Sequence, residues 1–145
     1  MPLHGRGNAV AIEGYVATAG YRPGCVGVLV VLDSDDDCPA QLGPSLLLQT
    51  ANASSKPVMI ALADRDFEDW LFASAETLGL GLTYTPDIRG KGAIESSLKP
   101  RKYAKPTWQP RLAQTINLDV AASRSASFAR MLRRFDDLCK RLPVS

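Results

Sequence analysis

The chain has 145 residues, 46% of them hydrophobic and 22% charged, which is enough apolar material to build the core of one ordinary globular domain. Its three cysteines, Cys25, Cys38 and Cys139, form an odd set without CxxC spacing, which argues against a disulfide framework and a zinc site and suits a reducing cytoplasm. No apolar run approaches the roughly 20 residues a membrane helix requires, and no basic leader precedes one, so a cytoplasmic protein without membrane association is expected.

Net charge is +2, but it is unevenly spread. Residues 1–87 hold four basic against eleven acidic side chains, −7 in all, whereas residues 88–145 hold thirteen basic against four acidic, +9 in all. An acidic edge beside a basic flank suits a phosphodiester substrate, carboxylates holding a metal and cations holding the backbone. The same cations would equally solvate helix faces.

In chain order, residues 1–8 are Gly-rich and read as irregular; they contain the only histidine, His4, which is taken as incidental. From Ala9 to Ala19, Val10, Tyr15, Val16 and Ala19 recur at near-helical spacing and Gly20 to Gly24 closes the segment, predicting a short helix. Val26 to Asp33 is an unbroken apolar run of strand length, as in a parallel strand covered on both faces. It stops on four carboxylates, Asp33, Asp35, Asp36 and Asp37.

Ligands of open α/β sheets sit at the carboxyl ends of the strands. In an extended segment Asp33 and Asp35 leave the same face, a seat for Mg²⁺ with its preference for carboxylate and phosphate oxygens; Asp37 is a further candidate ligand. Asp clusters after strands also cap helices and form turns, and Asp36 and Asp37 are placed to open the next helix. An EF-hand is excluded, because Cys38 and Pro44 stand where its Gly and Glu belong.

A helix is predicted over 39–53, opened by Pro39 and showing Leu46, Leu47 and Leu48 to the core, although Pro44 makes a later start an alternative. A second apolar run, Pro57 to Ala63, predicts another buried parallel strand, followed by acids and by a helix from Phe67 to Leu78. Strand, helix and strand form a βαβ unit, with the acids of both strand ends expected at one edge. Glu68 is then a third candidate acid, or a first-turn carboxylate favoured by the helix dipole. Residues 79–110, with a short helix around 93–98, read as a long basic loop that carries Lys102 and Lys105, candidate phosphate or nucleic-acid binders, beside Tyr103 and Trp108. The aromatics would either stack nucleic-acid bases or pack the loop onto the core. The chain is expected to end in a helix from Ala121 or Ser123 to Leu142, with Arg124 and Ser127 near its start as candidate phosphate binders. No P-loop and no Gly-x-Ser-x-Gly elbow is present.

Four blocks carry a resemblance: Val31-Leu-Asp-Ser-Asp-Asp-Asp-Cys-Pro39, Arg65-Asp-Phe-Glu-Asp-Trp-Leu-Phe-Ala-Ser74, Tyr103-Ala-Lys-Pro-Thr-Trp-Gln109 and Ser123-Arg-Ser-Ala-Ser-Phe-Ala-Arg130. Together, from Val26 to Leu138, they resemble an uncharacterised bacterial family of small TOPRIM-like proteins. That family is related to the nuclease half of OLD-type systems and often lies beside an ATPase gene. The resemblance implies a three-layer α/β domain over residues 1–145 with a mostly parallel central sheet. It also implies Mg²⁺- or Mn²⁺-dependent chemistry on phosphodiesters, in phage defence or DNA repair, with an ATPase partner. By the same resemblance Asp33 and Asp35 match a metal motif, Glu68 a characteristic glutamate, and Arg124, Ser127 and Phe128 a terminal block.

Two departures qualify the match. TOPRIM domains carry a further glutamate at the end of an upstream strand, a point after which this chain is expected to begin. Glu13-Gly14 imitates that motif but lies only 20 residues before Asp33, so Glu13 is expected on a helix. Trp108-Gln109 stands where the family tends to have Asp-Gln.

Three readings of function follow. The first is a metal-dependent nuclease or nuclease subunit with Asp33, Asp35 and Glu68 as catalytic residues. The second is a catalytically incomplete interaction module, working through an ATPase or as a homodimer. The third is phosphatase-like chemistry with Asp33 as nucleophile.

Overall fold

The computed structural model describes residues 9–35 and 38–142. The order of elements is helix α1 (Ala9–Gly20), strand β1 (Val28–Asp33), helix α2 (Pro39–Thr50), strand β2 (Val58–Ala63), helix α3 (Phe67–Phe72), a 3₁₀ turn (Ala75–Thr77), then helices α4 (Gly90–Leu98), α5 (Lys105–Ala113), α6 (Leu118–Arg124) and α7 (Ala126–Lys140). The class is mixed α/β, and the sheet among the described residues is a parallel pair, β1 with β2. The chain divides into two compact units, residues 1–64 with 130–145, and residues 65–129. No helix among the described residues is long and apolar enough to cross a membrane.

The first unit is the expected βαβ arrangement. β1 and β2 run in register from Val28 opposite Val58 to Asp33 opposite Ala63. Strand side chains alternate between faces, so Val28, Val58 and Ile60 share one face and form a core with Ile12 and Val16 of α1 and Leu46 of α2. Ile12 and Val16 are four residues apart and therefore lie on one stripe of their helix. The opposite face of β2 is also closed, with Met59, Ala61 and Ala63 buried. β1 is less enclosed than its sequence suggests, Val31 being 42% exposed.

Of the three leucines expected to face the core from α2, Leu46 does so and Leu48 is 78% exposed. Three consecutive helical residues cannot share one stripe. Gly27, just before β1, lies so close to α7 that a Cβ there would meet Leu138 and Leu142 at 3.2 Å. The basic face of α7 is partly structural: Arg134 donates to the Ile60 carbonyl at 2.9 Å and Arg130 to Asp64 at 2.9 Å.

The second unit is helical. Leu71, Leu78, Ile94, Leu98 and Leu112 form its core, with Tyr103, Trp108 and Ile116 packed against them. The helix expected over 67–78 ends at Phe72, and a 3₁₀ turn follows. At the break the Ser74 hydroxyl pairs with Thr77 and accepts the Asn117 amide at 2.9 Å. The segment read as a basic loop contains the short helix expected around 93–98, which runs as α4 from Gly90 to Leu98, and a second helix, α5, that was not expected. α5 escaped the reading because Pro106 and Pro110 mask it; Pro106 lies in the first turn, where no amide hydrogen is required. The single C-terminal helix is interrupted at Ser125, whose backbone is extended at φ −126° and ψ 110° and whose hydroxyl accepts the Phe128 amide at 3.2 Å. That hydroxyl caps the following helix.

Candidate functional site

β1 delivers Asp33 to the end of the parallel pair, half-buried and opposite Ala63. The next residue, Ser34, is buried; its amide donates to the Ala63 carbonyl at 3.0 Å and its hydroxyl to the Asp64 carbonyl. These two bonds hold the exits of both strands together. Asp35 is exposed and adopts φ 49°, a left-handed conformation that Asp tolerates better than most residues. Because the chain is no longer extended there, the rule that puts residues two apart on one face does not carry from Asp33 to Asp35. Asp37, the third candidate ligand, lies outside the described residues, as do Asp36 and His4.

Glu13 is on α1 as expected, and no group of three His, Cys, Asp or Glu able to hold a metal ion occurs among the described residues. Asp64, at the exit of β2, is ion-paired with Arg130 at 2.9 Å. The first unit thus presents carboxylates at its strand exits without a closed cage around them.

Glu68 belongs to the second unit and has a different setting. Asp66 caps α3, its carboxylate accepting the Asp69 amide at 3.2 Å, and Glu68 follows in the first turn. It is fully buried, at 0% exposure. Its Oε1 accepts the Tyr103 hydroxyl at 2.7 Å and the Gln109 Nε2 at 2.9 Å, with Lys105 Nζ at 3.7 Å. Its Oε2 has no hydrogen-bond partner among the described residues.

Burial alone would raise the pKa of this carboxyl group. The hydrogen bonds from Tyr103 and Gln109 and the charge of Lys105 outweigh it, so the group is held below its ordinary 4.5. Tyr103 moves the other way: burial, then the neighbouring Glu68, raise its pKa, so it remains a donor. A buried carboxylate bonded by two donors and paired with an ammonium is an anchor for whatever bears them, here residues 103–109.

Neighbouring side chains of α3 fasten other parts of the second unit. Asp69 accepts the Gly90 amide at 2.7 Å and Arg65 Nε at 2.6 Å. Gly90 approaches α3 so closely that a Cβ would lie 2.5 Å from the Glu68 carbonyl oxygen. Trp70, buried, donates its indole N–H to the Ser127 hydroxyl at 2.7 Å and meets Phe128 edge-on with ring centroids 5.5 Å apart.

Of the candidate phosphate binders, Ser127 is therefore buried and bonded to Trp70, and Lys105 faces Glu68. Arg124 is held by Glu76 at 2.7 Å, by the Ala73 carbonyl at 3.2 Å and over the Tyr84 ring at 4.7 Å. Lys102 is exposed. Sequence reasoning did not identify Gln109 or Tyr103 as partners of Glu68. The four spaced blocks carry the available signal, since three of them supply Glu68 and Trp70, Tyr103, Lys105 and Gln109, and Ser127 and Phe128. A search of protein-family models, curated proteins and solved structures found no match to this chain.

Proposed function

We propose that the chain is a TOPRIM-like, Mg²⁺- or Mn²⁺-dependent nuclease or nuclease subunit acting on phosphodiesters, working with an ATPase partner. The observation that carries this reading is the position of Asp33 at the carboxyl end of a parallel strand pair, with Asp35 following it. Ligands of open parallel sheets bind at such an edge. Asp33 and Asp35 would hold the cation, and Asp37 would add a third carboxylate. Hard carboxylate oxygens fit Mg²⁺, which usually takes one or two of them and completes its shell with water and substrate phosphate. When bound, the cation supplies charge stabilisation at the phosphoryl oxygens. Ser34 keeps the strand exits fixed, and Glu68 is a positioning residue that acts through Tyr103, Lys105 and Gln109.

Incubation with single- and double-stranded nucleic acid in Mg²⁺ or Mn²⁺ tests the reading. Cleavage that disappears in Asp33→Ala supports it; cleavage that survives the substitution dismisses the site. One observation favours a second reading, a catalytically incomplete interaction module: Glu13, which imitates the upstream glutamate, lies on helix α1 and not at the end of a strand. Co-purification with an ATPase or homodimer formation, together with no heat of Mg²⁺ binding in calorimetry, would decide for that module.

A further inference from the structure

Residues 96–118 hold five basic side chains, Lys99, Arg101, Lys102, Lys105 and Arg111, and no acidic one. Two of them share an aromatic support. The guanidinium carbon of Arg101 lies 5.2 Å from the centroid of Trp108, and that of Arg111 lies 5.7 Å from it. Both arginines are exposed, Trp108 is half-buried against the core of the second unit, and neither arginine has a carboxylate within salt-bridge distance among the described residues. An arginine stacked on an indole keeps its N–H fork directed outward, and that fork matches the oxygens of a phosphate.

The support is itself fixed. Tyr103, before Trp108 in the chain, and Gln109, immediately after it, both donate to the fully buried Glu68. The two guanidinium groups are therefore presented on a ring whose backbone is anchored to a buried carboxylate, so less ordering remains to be done on binding.

The geometry points to Arg101, Trp108 and Arg111 as a phosphate clamp for the backbone of a nucleic-acid strand, with Lys102 extending the positive surface. The assignment rests on the reading that this chain works on phosphodiesters, and it names the contact that would hold the substrate. The planar guanidinium groups held over the indole also offer faces on which a base can stack, which favours a single strand over an acidic peptide.

Binding of a fluorescein-labelled, random-sequence single strand to the full-length chain is read by anisotropy in EDTA over a salt series. Arg101→Gln with Arg111→Gln should weaken binding about tenfold or more and lower the slope of log K against log salt by about 1.4, the loss of two phosphate contacts. Trp108→Ala should weaken it comparably, and Trp108→Phe, which keeps a ring, should restore most of the affinity. Unchanged affinity and slope in the double variant, with wild-type circular dichroism and unfolding midpoint, would overturn the clamp. So would equal affinity for polyglutamate of matched charge. If Asp33→Ala still cleaves but the double variant loses binding, the metal seat falls and the clamp stands. The converse pattern removes the clamp alone.

Discussion

Asp35 and Glu68 are carboxylates with opposite surroundings: one is exposed on a turn at φ 49°, the other fully buried beneath Tyr103 and Gln109. At the exit of β1 no side-chain hydrogen bond among the described residues holds the exposed Asp35 in one place. Around Glu68 the chain converges two neutral donors and an ammonium on a single oxygen. An exposed acid beyond a strand end is open to solvent and ions, whereas a buried acid met by two donors and an ammonium organises the protein around itself. In the function proposed above, the conspicuous acids after β1 are the chemical ones and the inconspicuous Glu68 is the architectural one.

That contrast breaks most readily at Glu68. Glu68→Ala removes the acceptor of the Tyr103 hydroxyl and the Gln109 amide and the charge facing Lys105, and a loss of about 3 kcal/mol is expected in urea unfolding. A loss below about 1 kcal/mol would reduce the carboxylate to an incidental buried group. Gly90→Ala should cost somewhat less, about 2 kcal/mol, because the added Cβ would lie 2.5 Å from the Glu68 carbonyl oxygen and 2.6 Å from the Phe72 Cβ. An unchanged melting temperature would show that α4 can shift away from α3. Trp70→Phe removes the indole N–H from Ser127 and some packing volume, with an expected cost of about 1 kcal/mol.

The smallest effect is on acid stability. The hydrogen bond from Arg124 brings Glu76 down from 4.5 to about 2. A carboxyl group depressed in the folded state contributes its stability above the unfolded value and loses it as pH falls through the folded one. The Glu76 contribution should therefore be complete above pH 4.5 and fade toward pH 2. Glu68 has the same sign. Glu76→Gln should flatten the acid limb of a stability-versus-pH curve in that window, and a curve superimposable on the wild type would show the Arg124 pair to be inert.

Much of the first unit could be read from residues alone. An apolar run such as Val58 to Ala63 has one economical fate, a strand buried on both faces, and Pro57 and Asp64 mark its limits. The register that sets Asp33 opposite Ala63 is a property of the folded pair and was not legible in the sequence. The second unit was less legible, because its information lies in long-range pairings. Nothing local in Tyr103 or Gln109 announces a bond to a carboxylate 35 or 41 residues away. Lys105 signals only its charge in the sequence, which suits a phosphate binder, yet it lies 3.7 Å from Glu68. Turn chemistry explains the remaining differences: the extended backbone at Ser125 divides one expected helix into two, and the positive φ of Asp35 removes it from the strand geometry on which its pairing with Asp33 was premised.

The division between a chemical and an architectural carboxylate meets its most direct test in Mn²⁺ binding followed by electron paramagnetic resonance, comparing Asp33→Asn with Glu68→Gln. The account predicts that the wild type and Glu68→Gln bind the ion alike while Asp33→Asn loses it. Retention of the ion by Asp33→Asn, or its loss in a folded Glu68→Gln, would contradict the account.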